Sequence, residues 1–452
     1  MHLVIIGGSD AGISAALQAR TSAPDLDITV VVADAFPNFS ICGLPFYLSG
    51  EVPDWRRLAH RTTADIADAG IRLLLDHTAR TIDPAARTVS VVAADGQMHT
   101  LTYDRLVIAT GAAPVHPPIT GLELPGVFFL HAMTSSFAVE RYLVEQQPQA
   151  VVIIGGGYIG LEMADALTLR GLHVTIAGRS ATMLPTVDGA LGHLVEDELR
   201  RHGVDVAGSV SIAAIEAEGA HLIVSGSNGF RVKADMVLVA TGVQPASALA
   251  QSAGVTIGQR GAICINRRME TNIPGVYAAG DCVETWHRLL DHYTYLPLGT
   301  TAHKQGRVAG ANAAGRPQTF AGSLGTQVVK VFELAIARTG LREKDAVAAG
   351  FDAVTVERTT FDHKHYYPGA QELHIRITGD RQTGRLLGAQ ILGHWQAQVA
   401  KRIDIFATAL FHEMTVAQLN DLDLSYTPPL GSPWDAVQVA AQAWEQAVTK
   451  VR

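Results

Sequence analysis

Val151-Val152-Ile153-Ile154-Gly155-Gly156-Gly157-Tyr158-Ile159-Gly160 is an apolar run entering a full G-x-G-x-x-G. Four consecutive apolar residues suit a buried parallel strand, and residues 161–169 read as a helix. Strand, glycine turn and helix direct backbone N–H groups and a helix N-terminus at a pyrophosphate. Gly155, Gly157, Tyr158, Ile159 and Gly160 are therefore candidate dinucleotide contacts. The next strand is 174–177. The position expected to carry an acid for the ribose, 18 residues beyond Gly160, is Gly178, followed by Arg179. A missing carboxylate removes repulsion toward a 2′-phosphate, and Arg179 offers it a charge-assisted partner. That favours NADPH over NADH; a solvated loop charge is the plainer reading of Arg179.

Outward from this unit, the N-terminus carries a weaker copy. His2-Leu3-Val4-Ile5-Ile6 is a short apolar strand, and Gly7-Gly8-Ser9-Asp10-Ala11-Gly12 leads into a helix over 13–20. Ser9 stands where the second glycine is usual. Asp34, 22 residues beyond Gly12, follows a strand over 28–32 and is placed to accept from ribose hydroxyls. An ordinary strand–helix turn with an exposed Asp is the alternative. Leu106-Val107-Ile108-Ala109-Thr110-Gly111 recurs nearly verbatim as Val237-Leu238-Val239-Ala240-Thr241-Gly242, which points to an internal duplication. Asp95-Gly96 between 88–92 and 99–103 is a hairpin signal, and Pro114, Pro117 and Pro118 mark a crossing between domains.

At 452 residues several domains are expected. A net charge of −8 argues against a nucleic-acid surface. No apolar stretch approaches the ~20 residues that span a bilayer, and no charged leader precedes the first strand; a cytoplasmic protein is expected. The three cysteines, Cys42, Cys264 and Cys282, form no CxxC pair and no zinc spacing, so neither a disulfide framework nor a metal site is expected.

Cys42 lies in Asn38-Phe39-Ser40-Ile41-Cys42-Gly43-Leu44-Pro45-Phe46-Tyr47. A lone cysteine is usually inert. A thiol just after one nucleotide fingerprint, in a chain with two, can exchange electrons with a bound cofactor. Cys264, in an expected strand 262–266, and Cys282 read as packing residues. The strand over 274–279 ends in Gly280-Asp281, with the acid at an edge suited to polyol hydroxyls. Leu298-Gly299-Thr300-Thr301 turns into a helix of small residues, reaching 310. From about Leu324 an α+β module follows, with strands at 328–332, 355–360 and 373–377 and helices at 395–411 and 416–422.

Together these motifs resemble the flavin- and pyridine nucleotide-dependent disulfide oxidoreductases. The similarity is to the single-cysteine branch of coenzyme A-disulfide reductases, persulfide reductases and NADH oxidases and peroxidases. It spans almost the whole chain. It is carried by Ser40-Ile41-Cys42-Gly43-Leu44-Pro45, both Ala-Thr-Gly segments, Gly280-Asp281 and 298–310. His365-Tyr366-Tyr367-Pro368-Gly369 and Leu424-Ser425-Tyr426-Thr427-Pro428-Pro429 also fit it. The resemblance implies an α/β architecture of two Rossmann-like, three-layer domains on parallel sheets, plus a C-terminal α+β dimerisation domain. The implied division is FAD-binding over 1–113 and 245–322, NAD(P)H-binding over 114–244 and dimerisation over 323–452. FAD would meet Gly7, Gly12, Asp34 and Asp281; NADPH or NADH would meet Gly155, Gly157 and Gly160. Ser9, Ser40, Thr110, Gly111, Tyr158, Ile159, Gly178, Arg179, Thr241, Gly242, Gly280, Thr300 and Thr301 complete the implied cofactor contacts. Cys42 would be the redox centre, its thiolate stabilised by the flavin and a nearby helix N-terminus. Tyr366, Tyr367 and Tyr426 match positions near the substrate, with interface packing as the alternative.

The two-cysteine branch has its second cysteine where Tyr47 stands here. Cys42 must therefore pair with an external sulfur or cycle through sulfenic acid. Asp10 occupies the position of the histidine usual in oxidases and peroxidases, which lowers those readings. The segment from Asp34 to Cys42 is shorter than the branch leads one to expect, and Gly431-Ser432-Pro433-Trp434-Asp435 is a further variation. The activity implied is FAD-dependent NAD(P)H reduction of a small disulfide, persulfide or polysulfide, coenzyme A disulfide foremost, by a homodimer whose partner subunit completes each site. An oxidase or peroxidase, an electron-transfer reductase and a non-enzymatic redox sensor are the alternatives.

Overall fold

The computed structural model describes residues 1–450. The strands His2–Ile6, Asp27–Val31 and Arg105–Ile108 are each almost wholly buried, as continuous apolar runs require when helices cover both faces. With Arg72–Leu74 and Val276–Ala278 they form one five-stranded parallel sheet. Ala150–Ile154, His173–Ala177 and Met236–Val239 build a second, flanked by Asp205–Ala207 and Val127–Phe129. Each central strand pairs in register with its Ala-Thr-Gly strand: Val4 with Leu106, Val152 with Val237. The duplication read from sequence is thus a duplication of structure. The crossing at Pro114 is a two-stranded link, Ala112–Pro114 against Val243–Pro245.

The small residues of Gly299–Ala313 have a packing reason. A Cβ on Gly306 would lie 2.2 Å from the Ala11 carbonyl oxygen, and one on Gly310 would lie 2.1 Å from that of Ala15. This helix therefore rests backbone to backbone on Asp10–Ser22. The C-terminal unit is an antiparallel sheet of Gln327–Val331, Leu334–Gly340, Leu386–His394, Glu372–Asp380 and Ala353–Phe361. The helices Val399–Phe411 and Ala436–Lys450 pack on it, burying Phe406 and Trp444.

Two expectations need correction. Residues 262–266 are not a strand; Ile263 makes only single bridges to Ile257 and Val283, because Asn266 turns the chain by pairing with Glu270. Residues 395–398 are not helical. Trp395 N–H donates to Glu333, and Gln398 sits at φ +58° before the helix begins at Val399. Leu334–Gly340, Leu386–His394, Ala436–Lys450 and the antiparallel sheet Ile212–Glu218, His221–Gly226 and Arg231–Ala234 went unread in the sequence. Among the described residues no helix is long and apolar enough to cross a membrane.

Candidate active site

The two parallel sheets end at one cavity of about 1600 Å³. Both fingerprints open onto it with the same construction. Gly7 and Gly155 sit at φ +117° and +125°; a Cβ there would lie 2.0 Å from the Ala109 oxygen and 2.3 Å from the Ala240 oxygen. Gly12 and Gly160 face away from the cavity; a Cβ there would lie 1.8 Å and 1.9 Å from the Gly7 and Gly155 oxygens. In each copy one glycine permits the turn and another brings the helix start against the strand. Both helices start at this rim, with Ser9 and Gly157 in extended backbone just before them. The result is two separate cradles of backbone suited to pyrophosphates.

Gly7, Ser9, Asp34, Thr110, Gly111, Asp281 and Thr300 line one end of the cavity, and Gly155, Gly157, Tyr158, Ile159, Gly178, Arg179, Thr241 and Gly242 the other. Asp34 accepts from Phe36 N–H at 2.9 Å, yet burial raises its pKa. Burial, then the Asp10 carboxylate, pushes Asp281 up to about 6. Thr110 and Thr241 turn their hydroxyls to the Ala246 and Val115 carbonyls, tying the chain crossing. Arg179 is exposed at the cavity wall. Ser40, Gly280 and Thr301 do not line the cavity. Gly280 (φ +88°) packs on Ala11, where a Cβ would lie 2.7 Å from the Ala11 Cβ, and Thr301 Oγ1 pairs with Ser323 Oγ at 3.2 Å. Ser40 precedes the redox turn, its N–H donating to Leu58.

Cys42 lies in a short turn, Ile41–Gly43, that runs directly into the helix Leu44–Ser49. It opens on the cavity and lines it with Asp10, Asp281 and Glu162. The side-chain charges around Cys42 oppose a thiolate. Burial pushes the thiol up, and Glu162, Asp10 and Asp281 add to it; only its own backbone N–H acts the other way. Glu162 was missed in the sequence although it lies four residues beyond Tyr158, one turn along the fingerprint helix. Burial raises its pKa to about 7. Tyr158 also reaches the C-terminal sheet, accepting from Thr186 Oγ1 at 3.0 Å and donating to Gln327.

Tyr366, Tyr367 and Tyr426 are exposed and are not brought to Cys42 within one chain. Tyr366 neighbours Tyr426 and, after burial, helps to push its hydroxyl pKa up. Buried Arg402 ties their two segments together, donating to the Asp362 carbonyl and to the Asp435 carboxylate at 3.0 Å. Cys282 is fully buried and Cys264 half-buried, as packing residues are.

Residues 1–306 match the pyridine nucleotide-disulphide oxidoreductase family, and 326–436 match that family's dimerisation domain. The chain belongs to this family. Its cofactors are FAD and NAD(P)H, and the paired cradles fit two dinucleotides. An NAD(P)H sulfur oxidoreductase (CoA-dependent) from Pyrococcus furiosus is 37% identical over 442 residues, 97% of this chain and 98% of the relative. The structure of an NAD-dependent persulfide reductase from A. fulgidus superposes with a TM-score of 0.96 at 37% identity, covering all of this chain and 84% of that one. An engineered water-forming NADPH oxidase bound to NADPH superposes at 0.95 and 25% identity over the full length of both chains.

Proposed function

We propose that this enzyme reduces a small disulfide, persulfide or polysulfide, coenzyme A disulfide foremost, with Cys42 as its only redox sulfur. One observation carries the reading. Cys42 lines the cavity shared by the two nucleotide cradles, and Tyr47, not a second thiol, stands five residues on. The electron acceptor must then arrive from outside the chain. The P. furiosus relative is CoA-dependent, and the A. fulgidus protein is a persulfide reductase, which supports this substrate class.

When bound, the nicotinamide supplies a hydride and the flavin relays its electron pair. The Cys42 thiolate attacks one sulfur of RSSR, forming a Cys42–SR mixed disulfide and expelling RS⁻, which takes up a proton. Two electrons reaching that mixed disulfide release the second RS⁻ and restore the thiolate. Cys42 is held at the mouth of Leu44–Ser49, a position that favours the anion the neighbouring carboxylates oppose. Tyr426, beside Tyr366, protonates the leaving thiolate when the partner subunit's C-terminal domain closes the site. The division of the chain follows: FAD over 1–113 and 245–322, NAD(P)H over 114–244, dimerisation over 323–452, in a cytoplasmic homodimer.

NADPH is the preferred donor. The engineered NADPH oxidase carries, among its replacements, three adjacent ones that turn Asp-Ala-Met into Ala-Arg-Ser, and here Gly178-Arg179-Ser180 follows the strand His173–Ala177. The test is a panel: purified enzyme with NADPH or NADH against coenzyme A disulfide, polysulfide, an unrelated small disulfide and oxygen. Disulfide- or polysulfide-dependent oxidation of NADPH is expected. Oxygen consumption with no disulfide turnover would replace this reading by an oxidase.

A further inference from the structure

Asp10 begins the helix Asp10–Ser22 and lines the cavity with Cys42. Its Oδ1 is buried and makes no hydrogen bond. His303 Nε2, from the helix Gly299–Ala313, stands 3.3 Å from that oxygen. The ring is held from its other side, with Nδ1 2.8 Å from Ser14 Oγ. His60 approaches as well, its ring centroid 6.3 Å from that of His303. Two imidazoles thus attend one part-buried carboxylate beside the redox thiol, and the reaction proposed above uses neither.

We infer that His303 is a positioning residue for Cys42: its protonated ring neutralises Asp10 and eases formation of the Cys42 thiolate, and its neutral ring leaves the Asp10 charge facing the sulfur. The inference rests on Cys42 being the reacting thiol. The charges around that sulfur come from every element packed there. Glu162 faces it from Tyr158–Leu169, Asp281 from the turn after Val276–Ala278 and Asp10 from its own helix; all three oppose a thiolate. Burial pushes the Asp10 carboxyl up, while His303 and His60 act the other way and hold it as a carboxylate paired with an imidazole; Lys304 lines the cavity. His303 thus reaches the Asp10 carboxylate, and through it the sulfur's surroundings, from a helix distant in the chain.

The experiment is alkylation of Cys42 by iodoacetamide in the NADPH-reduced holoenzyme, followed by mass spectrometry across the neutral pH range. His303→Gln should slow modification roughly tenfold near neutrality, because the thiolate is the form that alkylates. Asp10→Asn should speed it. In the Asp10→Asn background, adding His303→Gln should change little, because the ring then has no carboxylate to pair with. Ser14→Ala, which loosens the ring and removes no charge, should slow modification by a smaller factor, and it keeps the test open if His303→Gln folds poorly. Equal rates in wild type, His303→Gln and Ser14→Ala at every pH would overturn the inference. A Cys42 that resists alkylation in all variants, with disulfide turnover intact in Cys42→Ser, would instead remove the reading beneath it.

Discussion

Gly160→Ala and Gly12→Ala are the same perturbation made in two cradles, and they should silence different cofactors. A Cβ at 160 would lie 1.9 Å from the Gly155 oxygen, and one at 12 would lie 1.8 Å from the Gly7 oxygen. Ordinary contact begins at 3.4 Å, so each helix start must retreat by about 1.5 Å. The obstacle is backbone, so no rotamer relieves it. A retreat of that size takes an N–H···O contact of ~2.9 Å beyond hydrogen-bonding range. Losing one or two such bonds to a charged pyrophosphate costs about 1.5–3 kcal/mol each, ten- to a hundredfold or more in affinity. Overpacking adds about 1–3 kcal/mol against the fold. The assay is flavin content per chain from visible absorption, with NADPH affinity from titration of flavin reduction. Gly160→Ala should keep its flavin and bind NADPH weakly; Gly12→Ala should lose flavin. Loss of flavin in Gly160→Ala with Gly12→Ala unchanged would refute the assignment of the cradles.

Arg179→Ala should raise the KM for NADPH about tenfold and leave that for NADH nearly unchanged, the effect of one charge-assisted contact; steady-state kinetics with both donors checks it. Arg402→Met leaves the half-buried Asp435 without its partner and should destabilise the chain by about 3 kcal/mol in denaturant unfolding, with Asp435→Leu restoring part of it. Glu162 has a folded pKa of about 7 against 4.5 for the free group, so it holds its proton more tightly when folded. Its contribution to stability is complete below pH 4.5 and is lost as pH rises through about 7. In flavin-free protein, Glu162→Gln should remove that slope from the pH dependence of thermal unfolding.

The nucleotide units were legible in the sequence because their signal is local. An apolar run, fixed glycine spacing and a repeated Ala-Thr-Gly each fall within a dozen residues, and the structure shows why no other residue fits at 7, 12, 155 or 160. What stayed hidden depends on distant pairing. Leu386–His394 is buried on both faces at the centre of its sheet, so it shows no alternation, and only its neighbours Leu334–Gly340 and Glu372–Asp380 identify it as a strand. His303 meets Asp10 across 293 residues of chain, a contact without any spacing signature. Residues 262–266 misled because their short apolar run serves single bridges to Ile257 and Val283 in place of a ladder. The thiol's surroundings also needed coordinates, since Glu162, Asp10 and Asp281 come from three separate segments.

Pre-steady-state reduction of Cys42→Ser measures the role of that sulfur most directly. NADPH should still bleach the bound flavin at close to the wild-type rate, while reoxidation by coenzyme A disulfide or polysulfide should be lost. Reoxidation by the disulfide at the wild-type rate in this variant would contradict the account, because the electrons would then be leaving the enzyme without passing through residue 42.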